Sequence, residues 1–253
     1  MQEILDQGVV RAGPREAQWI LDVARDGAHA VDLARRRAAG EPLQYVTGDA
    51  YFRRLKLAVG PGVLVPRPET ELVAERAMAR LPDGGTLVDV GSGSGAIALS
   101  VKDERPDARV IATEIDDKAF DWLLSNISAT GLEIETHRSD LLVRLPIELD
   151  RKIDVIVSNP PYVSTEDAGT LPVDVVEHEP PAALFAGSEG LAVILRLVPE
   201  AHRWLRPGGW LVVEIGESQA EEVSALMRTT GFEAVAVHDD LARRPRIIEG
   251  RAR

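Results

Sequence analysis

Apolar residues recur at helical spacing between Arg15 and Ala39, at Trp19, Ile20, Val23 and Ala24 and again at Val31, Ala34 and Ala38. Gly27 interrupts the run, and Gly40 and Pro42 close it, so the spacing predicts one broken helix or two short ones. From Glu41 to Pro68 apolar and polar residues alternate around Gly60-Pro61-Gly62, which predicts a β-hairpin linking this element to the rest of the chain. Residues 68–81, PETELVAERAMARL, return to helical spacing with Pro68 near the start. Beyond them, short β-rich runs alternate with amphipathic segments, the pattern of a doubly wound α/β sheet. Strands are expected near 86–90, 109–114, 134–138, 153–158, 209–215, 232–238 and 244–250, with a helix in every connection but the last. That last connection is too short for a crossover helix, so the seventh strand should run antiparallel to the sixth. The organisation predicted is a short helical segment over 1–40, a hairpin linker over 41–68 and one α/β domain over 69–253.

Composition narrows the function classes. With 45% hydrophobic residues in 253, the chain can bury one sizeable core. The absence of cysteine excludes disulfides, thiolate metal sites and cysteine nucleophiles, and the five histidines have no metal-ligand spacing, so no metal is expected. Asp and Glu outnumber Lys and Arg 41 to 29, a net charge of -12 that disfavours direct nucleic-acid binding. The basic run Arg35, Arg36, Arg37 reads as the solvated last turn of a helix. No apolar stretch approaches the roughly 18–20 residues that span a bilayer, and MQEILDQ lacks the pattern of a secretory signal, so no membrane partner and a cytoplasmic location are expected.

Residues 86–100, TLVDVGSGSGAIALS, read as a strand, a glycine turn and a helix start, where backbone N–H groups and the positive helix end face a small ligand lying across Gly91, Gly93 and Gly95. The same letters satisfy the dinucleotide fingerprint, so the loop alone does not separate a nicotinamide enzyme from a methyltransferase. Glu114, nineteen positions after Gly95, can accept both ribose hydroxyl protons of either cofactor. Asp89 would repel a pyrophosphate but suits the ammonium group of S-adenosylmethionine, and it can equally cap the glycine turn. Asp140, after the third strand, falls where an adenine would lie or is an ordinary turn residue.

The fourth strand ends in SNPPYVS, residues 158–164, opposite the glycine loop if it neighbours the first strand. Pro160 and Pro161 fix φ and remove two donors, leaving carbonyls that only accept. Asn159 Oδ1 and the Pro160 carbonyl together can hold both protons of a planar NH2 group, with the Tyr162 ring packed on that group. Accepting both protons aims the nitrogen lone pair at a sulfonium methyl, so Asn159, Pro160 and Tyr162 are the expected catalytic residues.

Taken together, LVDVGSGSGAIALS, VSNPPYVS, VVEHEPPAALFAGSEGL, LRPGGWLVVEIG and DDLARRPRIIEGR, with GEPLQYVTGDAYF and VLVPRPETE ahead of them, resemble the HemK/PrmC family of release factor glutamine methyltransferases over roughly residues 40–250. The resemblance implies a seven-stranded Rossmann-like class I methyltransferase sheet, S-adenosyl-L-methionine as cofactor and the glutamine of a release factor's Gly-Gly-Gln loop as substrate. It also implies that Gly91, Ser92, Gly93, Ser94, Gly95, Glu114 and Leu141 contact the cofactor, while Asn159, Pro160, Pro161 and Tyr162 hold the glutamine. Glu179 and Arg67 to Glu71 stand near the site in that pattern. The sequence departs from the family in a shorter segment before the linker, in Glu114 where Asp is usual, and at Arg53 and Arg54 where an aromatic residue and glycine are expected. The NPPY geometry would also serve an adenine amino-methyltransferase of DNA or RNA or a glutamine methyltransferase of a ribosomal protein. A fold that binds its cofactor without catalysis is a third reading.

Overall fold

The N-terminal spacing resolves into two helices, α1 (Pro14–Val23) and α2 (Gly27–Ala38). The break spans Ala24 to Asp26, and the Asp26 side chain caps the second helix by accepting the His29 backbone N–H at 2.8 Å. The computed structural model describes Met1, Leu5 and residues 13–253, so the start of the expected helical segment lies outside the described residues. The basic run in the last turn of α2 is not uniformly solvated. Arg37 is buried, donating to Glu16 at 2.9 Å and to the Glu41 carbonyl at 3.0 Å, while Arg36 pairs with Glu41. Ile20, Leu33, Ala34, Leu43 and Val46 form a small core of their own.

The linker differs from its expected form. Residues 43–47 make a helical turn, α3 (Leu43–Thr47), and the hairpin is short: β1 (Asp49–Phe52) pairs antiparallel with β2 (Leu55–Ala58). The reversal is made at Arg53 and Arg54, with Arg53 at φ 51°. Its backbone N–H donates to Glu71 at 2.9 Å and its guanidinium binds Glu104, contacts that hold a non-glycine residue in the left-handed region. Gly60-Pro61-Gly62 is not the hairpin turn. A Cβ on Gly60 would meet the Trp122 ring at 2.6 Å, so glycine is there for close packing.

After α4 (Thr70–Arg80) the chain enters a seven-stranded sheet of β3 (Thr86–Val90), β4 (Arg109–Glu114), β5 (Glu135–Arg138), β6 (Ile153–Ser158), β7 (Leu205–Glu214), β8 (Phe232–Asp239) and β9 (Pro245–Ala252). The order is β5-β4-β3-β6-β7-β9-β8. The last strand inserts between β7 and β8, antiparallel to both, and the other pairings are parallel. Leu87, Val155, Val157 and Val212 face one covering layer with α4 and α5 (Ala96–Glu104); Val88, Val90, Ile156, Leu211 and Val213 face the other. Burial on both faces explains why the central strands read as continuous apolar runs. The second layer includes α9 (Ala192–Trp204), which follows two short helices, α7 (Val173–His178) and α8 (Pro181–Leu184); α10 (Ala220–Thr230) packs beside it. A helix was expected between β5 and β6, but that connection holds a single 3-10 turn, Ile147–Leu149. Leu142, Leu145 and Leu149 are buried at helical spacing, yet Pro146 interrupts any continuous helix and the three cover the sheet from an irregular segment.

Between β4 and β5 runs α6 (Asp117–Thr130), started by Asp116, whose side chain accepts the N–H groups of Lys118 and Ala119. Its buried Asn126 accepts from the Ala58 N–H at 2.7 Å and donates to the carbonyls of Ala58 at 3.0 Å and Ser94 at 2.9 Å. One amide thus docks the hairpin and the glycine loop on the same helix. Asn126→Ala leaves these backbone groups unpaired inside the protein and should lower unfolding stability by about 2–4 kcal/mol, read as a reduced urea midpoint at unchanged slope.

Candidate active site

The parallel register sets Val90 beside Ser158, so the turn after β3 and the segment after β6 leave the sheet side by side. Ser158 Oγ donates to the Val90 carbonyl at 2.7 Å and fastens the two ends together. A cavity on this edge is lined by Asp89, Gly91, Ser92, Gly93, Ser94, Glu114, Asp140, Leu141, Asn159, Pro160 and Pro161 together with the loop residues Val63 and Leu64.

The glycine turn is held differently from its expected form. Gly91 and Ser92 donate their N–H groups to the Thr113 carbonyl at 2.9 and 3.0 Å, Gly93 donates to Glu114 at 2.9 Å, and Gly95 donates to the Ser92 carbonyl at 2.8 Å. These four donors are occupied, so what the turn offers a ligand is a bare backbone surface rather than a row of N–H groups. No protein atom lies within 4 Å of a Cβ built on Gly91, so that space stands open to the cavity. Gly95 is a correction to the sequence reading. It lines no part of the cavity; its φ is 86° and a Cβ there would stand 2.7 Å from Leu123 and 3.0 Å from Leu99, so it serves the packing of α5 and α6.

The two acids on this side have distinct surroundings. Glu114 Oε1 accepts the N–H groups of Ile115 at 2.8 Å and Asp116 at 2.9 Å, and Oε2 accepts that of Gly93. Three of its roughly four acceptor positions are therefore used in bracing the loop. Asp89 is 1% exposed; Oδ2 accepts the Ala98 N–H at 3.1 Å within the first turn of α5, while Oδ1 has no partner. Burial, with a smaller contribution from the nearby Glu114 charge, pushes the Asp89 carboxyl up to about 7. Asp140 is neither buried nor free: it forms an ion pair at 2.7 Å with Arg196 of α9, and both line the cavity. Leu141 follows with φ 48°.

On the β6 side, Asn159 Nδ2 lies 3.1 Å from Thr70 Oγ1, Thr70 Oγ1 lies 2.7 Å from Glu214 Oε2, and the Tyr162 hydroxyl donates to Glu214 Oε1 at 3.1 Å. Glu214 is 1% exposed, and burial raises its carboxyl above the ordinary range. Tyr162 is raised too, by burial first and then by the Glu214 charge. Its ring lies under the Arg246 guanidinium and faces an adjoining cleft instead of the first cavity. Glu179 is buried against Arg67 at 2.6 Å and lines neither space; its own carboxyl is raised by burial. Arg67 lines both.

The sequence reading did not single out Glu214, Gln219 or Arg196. Gln219 donates to the Tyr162 carbonyl at 3.0 Å and accepts the Gly216 N–H at 2.9 Å, pinning the segment after the two prolines. The available signal for Glu214 was a lone acid inside the apolar run WLVVEIG, which a fully buried strand does not tolerate without partners.

The adjoining cleft is lined by Val163, Leu171, Pro172, Val175 and Leu184, and it shares Leu64, Arg67, Asn159, Pro160 and Ala183 with the first cavity. The two spaces meet at Asn159 and Pro160.

Residues 68–239 match the methyltransferase small domain. The release factor glutamine methyltransferase of Streptomyces coelicolor is 42% identical over 227 residues, 87% of this chain and 79% of that protein. The release factor glutamine methyltransferase of Geobacter sulfurreducens is 41% identical over 200 residues, 79% and 69% of the two chains. Among solved structures, a methyltransferase from Pyrococcus furiosus superimposes with a TM-score of 0.59 at 19% identity, covering 77% of this chain and 87% of that one. The 16S rRNA N2 G1207 methyltransferase of T. thermophilus, in complex with AdoMet and guanosine, gives 0.57 at 22% identity over 81% and 50% of the chains. At these identities the two structures share the fold of class I methyltransferases. With an edge-on cavity beside a glycine turn, an NPPY segment closing it and identity above 40% over most of its length, this chain belongs to the release factor glutamine methyltransferase family.

Proposed function

We propose that the chain transfers a methyl group from S-adenosyl-L-methionine to the side-chain amide nitrogen of the glutamine in a peptide chain release factor's Gly-Gly-Gln loop. The observation that carries the reading is the junction of two spaces at Asn159 and Pro160, one running to the glycine turn and the other opening to solvent past apolar side chains. A cofactor in the first and a glutamine in the second would meet at the two acceptors.

The residues present fit that cofactor. Asp89 Oδ1 is a buried acceptor without a donor, suited to an ammonium group, and Gly91 leaves an uncovered backbone surface. Occupied N–H groups in the turn and a carboxylate behind it are a poor cradle for a pyrophosphate, which favours this reading over a nicotinamide enzyme. When bound, S-adenosylmethionine supplies an electrophilic methyl on sulfur. Asn159 Oδ1 and the Pro160 carbonyl accept the two amide protons of the glutamine and hold its nitrogen in line with that carbon. Bound there, the cofactor would supply the methyl carbon with its sulfur as the leaving group that keeps the C–S electron pair, and the methylated nitrogen, then acidic, would release its proton to solvent. An uncharged pair of acceptors suffices because positive charge develops on nitrogen in the transition state, where the acceptors bind it more strongly. Arg67, which lines both spaces, is held by the buried Glu179 at 2.6 Å, so its charge is paired instead of lying free beside that developing charge.

Asn159→Ala should leave S-adenosylmethionine affinity within about threefold while kcat falls by about 10²–10³. Methylation of a purified release factor with labelled cofactor measures it, and a wild-type rate in the variant removes the assigned role. Gly91→Ala has room in the free protein and costs about 1–2 kcal/mol for its backbone conformation, yet it should weaken cofactor binding more than tenfold by calorimetry. The cofactor affinity should also depend on pH. Asp89 is neutral in the free protein below about 7, so affinity should fall as the pH drops through that value, approaching tenfold per unit below it. Because this carboxyl is raised above its unfolded value, its contribution to stability has the opposite sign: fully present at low pH and lost as pH rises through about 7. Asp89→Asn should flatten the binding profile.

A further inference from the structure

We propose that Thr70 and Glu214 are positioning residues that fix which end of the Asn159 amide faces the reacting nitrogen. The inference rests on the reading above, in which Asn159 accepts from the substrate amide, and it follows from counting donors along one chain of hydrogen bonds.

With a hydroxyl donor on each of its two oxygens, Glu214 acts here as the acceptor. It takes the Tyr162 hydroxyl proton on Oε1 at 3.1 Å and faces Thr70 Oγ1 at 2.7 Å on Oε2. A threonine hydroxyl has one proton, and here it is directed to Glu214. Thr70 Oγ1 can then only accept from Asn159, and of the two ends of that amide only Nδ2 can donate, at 3.1 Å. Oδ1 is left to face the cavity. The opposite orientation would set the Asn159 NH2 against the substrate NH2, donor against donor, and lose the acceptor pair.

Three elements converge to build this polarity: Thr70 is the first residue of α4, Glu214 ends β7, and Asn159 follows β6. Thr70 is 4% exposed and Glu214 1%, so water does not compete freely for either group. Glu214 has no Lys or Arg within ion-pair distance among the described residues, and its two short partners are both hydroxyls. A charge used only to stabilise the fold would more economically sit against a cation, as Glu249 does with Arg76 and Arg80. The arrangement also accounts for selection of an amide over a carboxylate acceptor: with Oδ1 and a carbonyl pointing in, a glutamate side chain meets only acceptors.

The test is Thr70→Val, which keeps the shape and removes the hydroxyl, beside Thr70→Ser, which keeps the hydroxyl. With a release factor as substrate, the valine variant should lose about 10–100-fold in kcat with cofactor affinity unchanged, and serine should stay within about threefold of wild type. A wild-type kcat in the valine variant, or a serine variant as slow as valine, overturns the proposal. Thr70→Ala replaces valine if the latter does not fold. A second readout needs no substrate. The side-chain amide resonance of Asn159, identified by its loss in Asn159→Ala, should show one proton protected from solvent exchange in wild type and Thr70→Ser, and unprotected in Thr70→Val. Equal protection in all three overturns the proposal. If wild type fails to methylate any release factor, the substrate reading falls, while the exchange measurement still decides the orientation of Asn159.

Discussion

The pairing of β6 with β3 is the constraint on which the rest of the molecule's chemistry depends. The chain builds outward from β3 to β4 and β5, then returns across the sheet to lay β6 on the other side of β3. Parallel strands joined by right-handed crossovers leave a crevice at such a reversal, because the connections on the two sides depart to opposite faces. Here the crevice receives the glycine turn from one strand and Asn159-Pro160-Pro161 from the other, clamped by Ser158 onto the Val90 carbonyl. Prolines at 160 and 161 make sense only in that setting: the segment forms no strand beyond Ser158 and gains nothing from further N–H donors, but it must hold carbonyls in fixed directions.

The frame around that crevice was largely legible because central parallel strands leave a strong mark. Residues 153–158 and 86–90 are apolar at seven of eleven positions, including consecutive ones, since both faces are covered, and the short last connection correctly implies an antiparallel seventh strand. That strand's place between β7 and β8 is a matter of pairing partners, which no local pattern records. The linker misled for a physical reason. Glycine marks both tight turns and close approaches, and Gly60 is the second kind, lying under Trp122, while the true reversal at Arg53 is held in the left-handed region by Glu71 and Glu104. Those acids are 18 and 51 residues away, too far for a turn rule to see.

The same distinction divides the site. Asp89, Glu114, Asp140 and Asn159 could be singled out because each sits next to the end of a strand whose position was clear, and all four line one cavity. Thr70 and Glu214 act through contacts 89 and 144 residues apart in sequence, and only the folded sheet brings them to the Asn159 amide. Gly95 errs the other way: inside the glycine motif by letter, it belongs to helix packing by geometry. A motif fixes the path of the backbone more reliably than the use of each residue in it.

Three buried carboxylates show how partners, not burial, separate these uses. Glu249 is as enclosed as the others, but Arg76, Arg80 and His238 surround it and hold its carboxyl down at about 2, so it is charged at any working pH and simply ties α4 to the sheet. Glu214 lacks such cations and is satisfied by two hydroxyl donors, which give direction without neutralising the charge. Asp89 has one backbone donor and one bare oxygen, and burial leaves it poised near neutrality. Desolvation acts against the charged form of both Glu214 and Asp89. On the proposed function, that cost has a use at each place: at Asp89 the bare oxygen awaits a cationic ligand group, and at Glu214 the carboxylate orders the Asn159 amide through Thr70. Of these three, Asp89 lines the cavity and Glu214 reaches it through Thr70 and Asn159, whereas the cation-bound Glu249 lines neither space, so the carboxylates raised by burial are the ones connected to the site.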